Sequence, residues 1–283
     1  MNKKNIGFLH PGAMGVSLAV TAQNTGYTAY WLSEGRSRET FKRATKYKLV
    51  EMKALDELCD RCSVLVSVCP PHASTEVAKK VLRCSFKGIY TDVNAISPQR
   101  VKHIGQLMND AGVDFVDGGI IGGPAWKPDN TWLYLSGSRA NQVAACFAGG
   151  PLETEVIGDD IGKASALKMC FAANTKGTTA LLCAIVATAE KMGVRKELEK
   201  HWSHYGSEYV ANTLERISAA TAKAWRFSGE MEEVALTLEE AGLPSGFHLA
   251  ARDIYQRIAK FKGADPRPPV EDVLDALLNP EKK

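Results

Sequence analysis

The apolar positions of the first half fall in short runs separated by amphipathic stretches. "NIGFLH" has strand length and ends on a Pro-Gly turn. "MGVSLAVTAQNTG" then keeps a helical period and closes on Gly26. "YTAYWL", "VLVSVCP", "GIYTDVNA", "VDFVDGG" and "TWLYLSG" read as further strands. The stretch 38–46, "STEVAKKVLRC", "SPQRVKHIGQLMNDAG" and "RANQVAACFAG" read as helices. Strands alternating with helices imply βαβ units and a mostly parallel, doubly wound α/β sheet over residues 1–160. From 161 to 192 a single helical pattern of small residues contains no proline. A helix of that length is about 45 Å long and suits a domain boundary. Beyond it every stretch reads helical, among them "GEMEEVALTLEEAG", "GFHLAARDIYQRIAKF" and "PPVEDVLDALL". Residues 161–283 are therefore expected to form an all-α domain joined to the first by the long helix.

Composition narrows the class. The chain has 283 residues, 45% apolar and 24% charged, as an ordinary globular protein of two domains does. A net charge of +3, with no dense run of Lys and Arg, argues against a nucleic-acid partner. Seven scattered cysteines suit reduced thiols in a cytoplasmic protein. Cys59 and Cys62 form one C-x-x-C without the second pair a zinc site needs, and His201 and His204 have no third ligand in view. No metal is expected. The basic start "MNKKN" precedes too short an apolar stretch for a signal segment, and the run at 178–189 is too short to span a bilayer. The tail "NPEKK" is expected to fray.

The glycine turn is the first candidate chemistry. In the fingerprint G-x-G-x-x-G the first glycine allows the turn, the second admits the pyrophosphate, and the third lets helix and strand pack. Gly12 and Gly15 fill the second and third places, and His10 stands at the first, followed by Pro11. The amides around Ala13 and Met14 open the helix, where an anion is favoured. By itself this degraded fingerprint is compatible with a Rossmann dinucleotide site and with a merely structural turn; on the first reading Cys69 and Pro70, at the end of a neighbouring strand, are further cofactor candidates. The ribose is met at the end of the second strand, in "WLSEGRS". Arg36, with Ser33 and Ser37, matches a 2′-phosphate and points to NADP. Glu34 would instead accept from a free 2′-hydroxyl, so NAD stays open.

Four segments in order carry a family resemblance. "GFLHPGAMG" is similar to the G-F-x-G-x-G-x-M-G opening of the β-hydroxyacid dehydrogenases, the superfamily of 6-phosphogluconate and 3-hydroxyisobutyrate dehydrogenases. "TDVNAISP" resembles its D-x-S-T-x-S-P segment and "VDGGIIGGP" its substrate loop D-A-P-V-S-G-G. "GKASALKMCFAAN" resembles the segment that carries the family's catalytic lysine. The resemblance covers nearly the whole chain. Its second half looks closest to a poorly characterised branch of NAD(P)-dependent oxidoreductases.

The resemblance implies hydride exchange between a nicotinamide and a small hydroxyacid or alcohol, or the matching carbonyl. It also implies a homodimer through the helical domain. Lys168 matches the family lysine and would donate or accept the substrate proton. A lysine ordinarily titrates at about 10.4, and desolvation makes it a better base. Lys168 lies among Ala164, Ala166, Leu167, Phe171 and Ala172, an apolar setting. Asn94 replaces the family Ser and remains a candidate for both substrate and cofactor. Ile121 stands where the loop serine should, leaving the amides of Gly122 and Gly123 to meet a substrate anion. The family asparagine is absent, and Thr175, seven residues after the lysine, returns to its helical face. His248, with Glu230 and Phe247, is placed to close the site, and Trp126 and Trp132 flank the substrate loop. Two other readings stay open: an imine reductase, and a dinucleotide-binding sensor without turnover.

Overall fold

The computed structural model describes residues 4–280, so positions 1–3 of the basic start and 281–283 of the tail lie outside the described residues. The strands are β1 (Asn5–Phe8), β2 (Thr28–Leu32), β3 (Val50–Met52) and β4 (Val64–Ser67), then β5 (Ile89–Asp92), β6 (Asp114–Gly122), β7 (Thr131–Ser136) and β8 (Glu153–Val156). They form one sheet in the order β3-β2-β1-β4-β5-β6-β7-β8. Every neighbouring pair is parallel except β6 and β7. The chain leaves β1 towards one edge and resumes at β4 towards the other. Open α/β sheets bind ligands in the crevice such a reversal makes, at the carboxyl ends of the strands.

Connecting helices cover both faces: α1 (Ala13–Asn24), α2 (Arg38–Lys46), α3 (Leu55–Arg61), α4 (Ser74–Arg83), α5 (Pro98–Asp110) and α6 (Ala140–Ala144). Alternation along β4 shows the layering. Val64 and Val66 join an apolar cluster with Ile6, Phe8, Leu18 and Phe147, while Leu65 joins one with Leu58, Val81, Tyr90 and Met108. Cys59 and Cys62 belong to this second cluster, where burial pushes both thiols up to about 12 and leaves them unreactive.

The long helix runs Lys163–Lys191 over 29 residues. It comprises α7 (Lys163–Ala172), a π turn (Ala173–Gly177) and α8 (Thr178–Lys191). By length and composition this helix is long and apolar enough to cross a membrane, unlike the shorter apolar run read from the sequence. A buried carboxylate on the sheet fixes its first turn, as described below. The compact units divide inside it, at Met1–Met169 and Cys170–Lys283, rather than at residue 160, because α7 begins packed on the sheet.

The second unit continues with α9 (Arg195–Trp202), α10 (Tyr209–Ala220), α11 (Ala224–Glu240), α12 (Gly246–Arg257) and α13 (Val270–Leu278). Its core holds Ile217, Met231, Val234, Tyr255, Val273 and Leu277. His201 and His204 are exposed on α9 and the turn after it.

Candidate functional site

The glycine turn is built as its residue types require. The Gly12 amide donates to the His10 carbonyl at 2.8 Å, closing the turn that the family closes with glycine. Any Cβ on Gly15 would strike that same carbonyl, so α1 approaches the turn only because position 15 is glycine. Nothing lies within 4 Å of where a Gly12 Cβ would stand, so the backbone is open there. No side chain caps α1 and its first turn has no acidic residue. Its amides and dipole therefore remain available to an anion.

Two buried polar atoms beside this turn lack a partner, His10 Nδ1 and Arg36 Nε. Burial, then the charges of Arg36 and Lys80, push the His10 imidazole down to about 4, so it is neutral. Pro11 is buried and its carbonyl accepts from Arg43 at 3.3 Å. Ala13 is exposed and Met14 half-buried at the mouth. An uncapped helix, an open glycine and two orphaned polar atoms fit a dinucleotide pyrophosphate with its ribose. The Ser33 hydroxyl is buried and donates to the Met52 carbonyl at 3.3 Å. Ser37 is the exposed N-cap of α2, its oxygen accepting from the Thr40 amide. Glu34 is exposed.

At the ends of β4 and β5, Asn94 is buried and spends its side chain internally. Its Oδ1 accepts from the Cys69 amide, its Nδ2 donates to Ser67 Oγ at 3.1 Å, and its own amide donates to Asp92 Oδ1 at 3.0 Å. These bonds make Asn94 a brace joining two strand ends. It holds Cys69 and the half-buried Pro70 at the crevice. The Cys69 thiol is pushed up to about 12, chiefly by burial.

Asp92 is fully buried and its Oδ2 has no partner. Burial raises its carboxyl from 3.8 to about 7, against the hydrogen bonds from Asn94. Between those values the folded chain binds a proton that the unfolded chain has released, so this residue's contribution to stability falls as pH rises across them. Urea unfolding is expected to show that decline from about pH 4 to about pH 7, and Asp92→Asn is expected to flatten it. An unchanged pH slope in the variant would contradict the assignment.

Ile121 and Gly122 lie in a strand, not a loop. β6 runs through Gly122, with Ile121 opposite Trp132 and Gly122 opposite Thr131. The Gly122 φ of 115° and its close approach to Asn130 serve the end of the hairpin. The loop begins at Gly123, whose carbonyl accepts from Thr131 at 2.7 Å. It is tied to α1 by the Ala125 amide donating to Ser17 Oγ at 3.0 Å. Trp126 stacks on Tyr47 with centroids 4.8 Å apart, and Trp132 is half-buried in β7.

Lys168 is half-buried on α7, directly over β6. A Cβ on Gly119 would stand 3.0 Å from Lys168 Cβ and closer still to the Ala164 carbonyl. The second glycine of "DGG" therefore lets the lysine helix lie against the strand. Asp117, missed at the sequence level, anchors that helix. Its Oδ2 accepts from the amides of Gly162 (3.0 Å) and Ser165 (3.1 Å) and from Ser136 Oγ (3.0 Å). Its Oδ1 accepts from Ser165 Oγ at 2.7 Å. Burial raises the Asp117 carboxyl, and these hydrogen bonds oppose the rise. The available signal is an acidic residue in the middle of an apolar strand, which needs buried donors.

Within the helical unit, Thr175 lies in the π turn. That turn adds a residue to the helical repeat. The Thr175 hydroxyl donates back to the Phe171 carbonyl at 2.9 Å. The displaced carbonyls are capped from other helices: Thr175 by Arg216, and Lys176 by the Tyr255 hydroxyl at 2.8 Å. His248 packs on Gly177, where a Cβ would meet Nε2 at 2.8 Å. Burial lowers the His248 imidazole, and a hydrogen bond to the Ala173 backbone opposes this. Glu230 is buried and pairs with Lys176 at 2.7 Å, while Phe247 is 78% exposed.

Residues 5–146 match the NAD binding domain of 6-phosphogluconate dehydrogenase, and 189–258 match a domain of unknown function (DUF1932). An uncharacterized 28.5 kDa protein of Methanothermus fervidus, from the 7S RNA 5′ region, is 34% identical over 165 residues. That match spans 58% of this chain and 63% of the relative's length. The solved structure of conserved protein MTH1747, of unknown function and described as similar to 3-hydroxyacid dehydrogenases, is 27% identical, with a TM-score of 0.67 over 90% of this chain and 97% of that one. Mycobacterium tuberculosis 3-hydroxyisobutyrate dehydrogenase with L-serine shares the fold at 16% identity, with a TM-score of 0.68 over 97% of this chain and 99% of that one. The imine reductase of Myxococcus stipitatus with NADP+ shares it at 19% identity and a TM-score of 0.57, over 97% of this chain and 99% of that one. With half its length matched and the glycine turn, β5–β6 and α7 in the family's order, the chain belongs to the β-hydroxyacid dehydrogenase superfamily, through the NAD binding domain of 6-phosphogluconate dehydrogenase.

Proposed function

We propose that the protein is an NADP(H)-dependent oxidoreductase acting on a hydroxyl-bearing carbon or the corresponding carbonyl, with Lys168 as its general acid and base. The observation that carries the reading is the seating of Lys168: half-buried, over the glycine of β6, on a helix whose first turn is held by Asp117. When bound, the nicotinamide gives or takes the hydride, and the chain manages orientation and one proton. Lys168 would donate that proton to the developing alkoxide, and in oxidation would remove it. The amides at the start of α1 would hold the pyrophosphate, with Gly12 giving it access. The half-buried Arg36, whose Nε has no partner, would meet the 2′-phosphate.

The substrate is expected to be a more apolar molecule than a short hydroxyacid. Isoleucine replaces the loop serine, and Asn94 is buried with its amide bonded to Ser67 and Cys69. A homodimer through the helical unit and a cytoplasmic location complete the proposal. Leu181 and Phe247 are 54% and 78% exposed along a groove between α8 and α12, which suits a second copy.

The direct test is cofactor oxidation with a panel of ketones, ketoacids and cyclic imines. NADPH is expected to be consumed with a carbonyl and to bind at least about tenfold tighter than NADH, a preference that Arg36→Gln should abolish. Turnover confined to imines would replace the carbonyl reading. Binding with no turnover on any class would favour a sensor.

A further inference from the structure

A cavity of about 700 Å³ opens in the helical unit beside the π turn, within the range of ligand sites. Its wall includes Lys176, Arg216, Lys223 and Arg267 and no carboxylate. The surrounding charges do not cancel these cations evenly. Lys176 pairs with Glu230 at 2.7 Å, and Arg267 with Glu215 at 2.7 Å. Arg216 instead donates to the Thr179 hydroxyl and the Thr175 carbonyl, which fix its guanidinium without neutralising it. Lys223 has no carboxylate partner among the described residues. Two positive groups thus remain uncompensated over one concave surface.

The cavity is also shaped for more than an inorganic ion. Phe227 and Tyr255 form part of its wall, packed edge to face with centroids 5.3 Å apart. Lys176 Nζ lies 5.2 Å from the Phe227 ring centre, so charge and ring are presented together. The π turn matters to this shape. It places the Thr175 and Lys176 carbonyls where Arg216 and Tyr255 must cap them, drawing a cation and an aromatic ring to one wall. A helical distortion held by residues 41 and 79 positions away is a deliberate feature rather than local fraying.

We propose that this pocket binds an organic anion, a carboxylate or phosphate on a flat apolar body, with Arg216 and Lys223 holding the charge and Phe227, backed by the buried Tyr255, the body. Arginine provides a pre-oriented fork for two oxygens and lysine a mobile point charge. Binding needs no nicotinamide chemistry, so the pocket stands whether or not the redox reading does.

The test is calorimetric titration of the full chain, without cofactor, using phenyl phosphate, inorganic phosphate and phenol. Phenyl phosphate is expected to bind tightest, because only it offers both charge and ring. Lys223→Glu, an exposed substitution, should weaken it at least about tenfold while leaving the far-ultraviolet circular dichroism unchanged. Arg216→Gln should weaken it as well, and added salt should weaken binding in the parent. Equal affinity for phenol and phenyl phosphate, or undiminished binding in Lys223→Glu, would overturn the proposal. In a turnover assay, competition by phenyl phosphate would mark the pocket as the seat of the substrate's charged arm. Binding without competition would mark the anion as a separate ligand.

Discussion

Replacing Lys168 by methionine is expected to lower kcat by about 10²–10⁴-fold, the usual worth of a general acid–base group, while cofactor affinity stays within about twofold. Methionine keeps the length and most of the volume of the lysine stem and has similar helix propensity. It removes the proton carrier and little else. The half-buried site over Gly119 accepts an apolar chain, and the Asp117 cap of α7 is untouched. Stopped-flow hydride transfer and nucleotide fluorescence titration read the two quantities separately. A companion variant, Lys168→Ala, is expected to regain part of its rate with added small primary amines, since a diffusible base can take the vacated place. A merely positioning lysine would show no such rescue. Turnover close to that of the parent in Lys168→Met would remove the residue from the mechanism, and a parallel loss of cofactor affinity would assign it to binding instead.

What was legible in the chain follows from the range of the interactions involved. The inner strands announce themselves because they bury both faces, as the apolar run "VLVSV" does, whereas the short and largely exposed edge strands β3 and β8 carry no such run and escape the reading. The glycine turn is legible because Gly12 and Gly15 are local steric requirements. Lys168 is legible only through motif order, since a lysine on a small-residue helix would otherwise read as a surface group. The features that escaped reading depend on distant partners. The residues Ala173–Gly177 satisfy an ordinary helical pattern, and the π turn is stabilised by Arg216 and Tyr255, far along the chain. Asn94 reads as a residue that can donate and accept, and the fold puts one donor and one acceptor of its amide to work on Ser67 and Cys69, partners 27 and 25 positions away. The resemblance puts Ile121 in a loop, whereas pairing with Trp132 extends β6 through it. Sequence periodicity reports which face is buried, not which polar atom is already satisfied.

Asp117 illustrates the same point with the largest expected effect on stability. Asp117→Ala should destabilise the fold by about 3 kcal/mol or more, because buried donors on Ser136, Gly162 and Ser165 would lose their acceptor together. Asp117→Asn should cost much less. An asparagine oxygen in the Oδ2 position keeps the three donors that converge there, and its amide can donate to Ser165 Oγ once that hydroxyl turns. The charge itself adds a favourable term at the start of α7, so the amide variant should still lose about 0.5–2 kcal/mol. The two variants separate stability from positioning. Where Asp117→Asn remains folded, the first turn of α7 loses part of its anchor, so Lys168 is held less firmly over Gly119. Turnover should then fall by more than the loss of folded protein explains, with cofactor affinity preserved, because the glycine turn lies on another strand. Urea unfolding combined with kcat and nucleotide titration on the same preparations decides the matter. Equal stability of Asp117→Ala and the parent would show that the buried carboxylate does not hold α7. A stable Asp117→Asn with unaltered kcat would confine Asp117 to the fold.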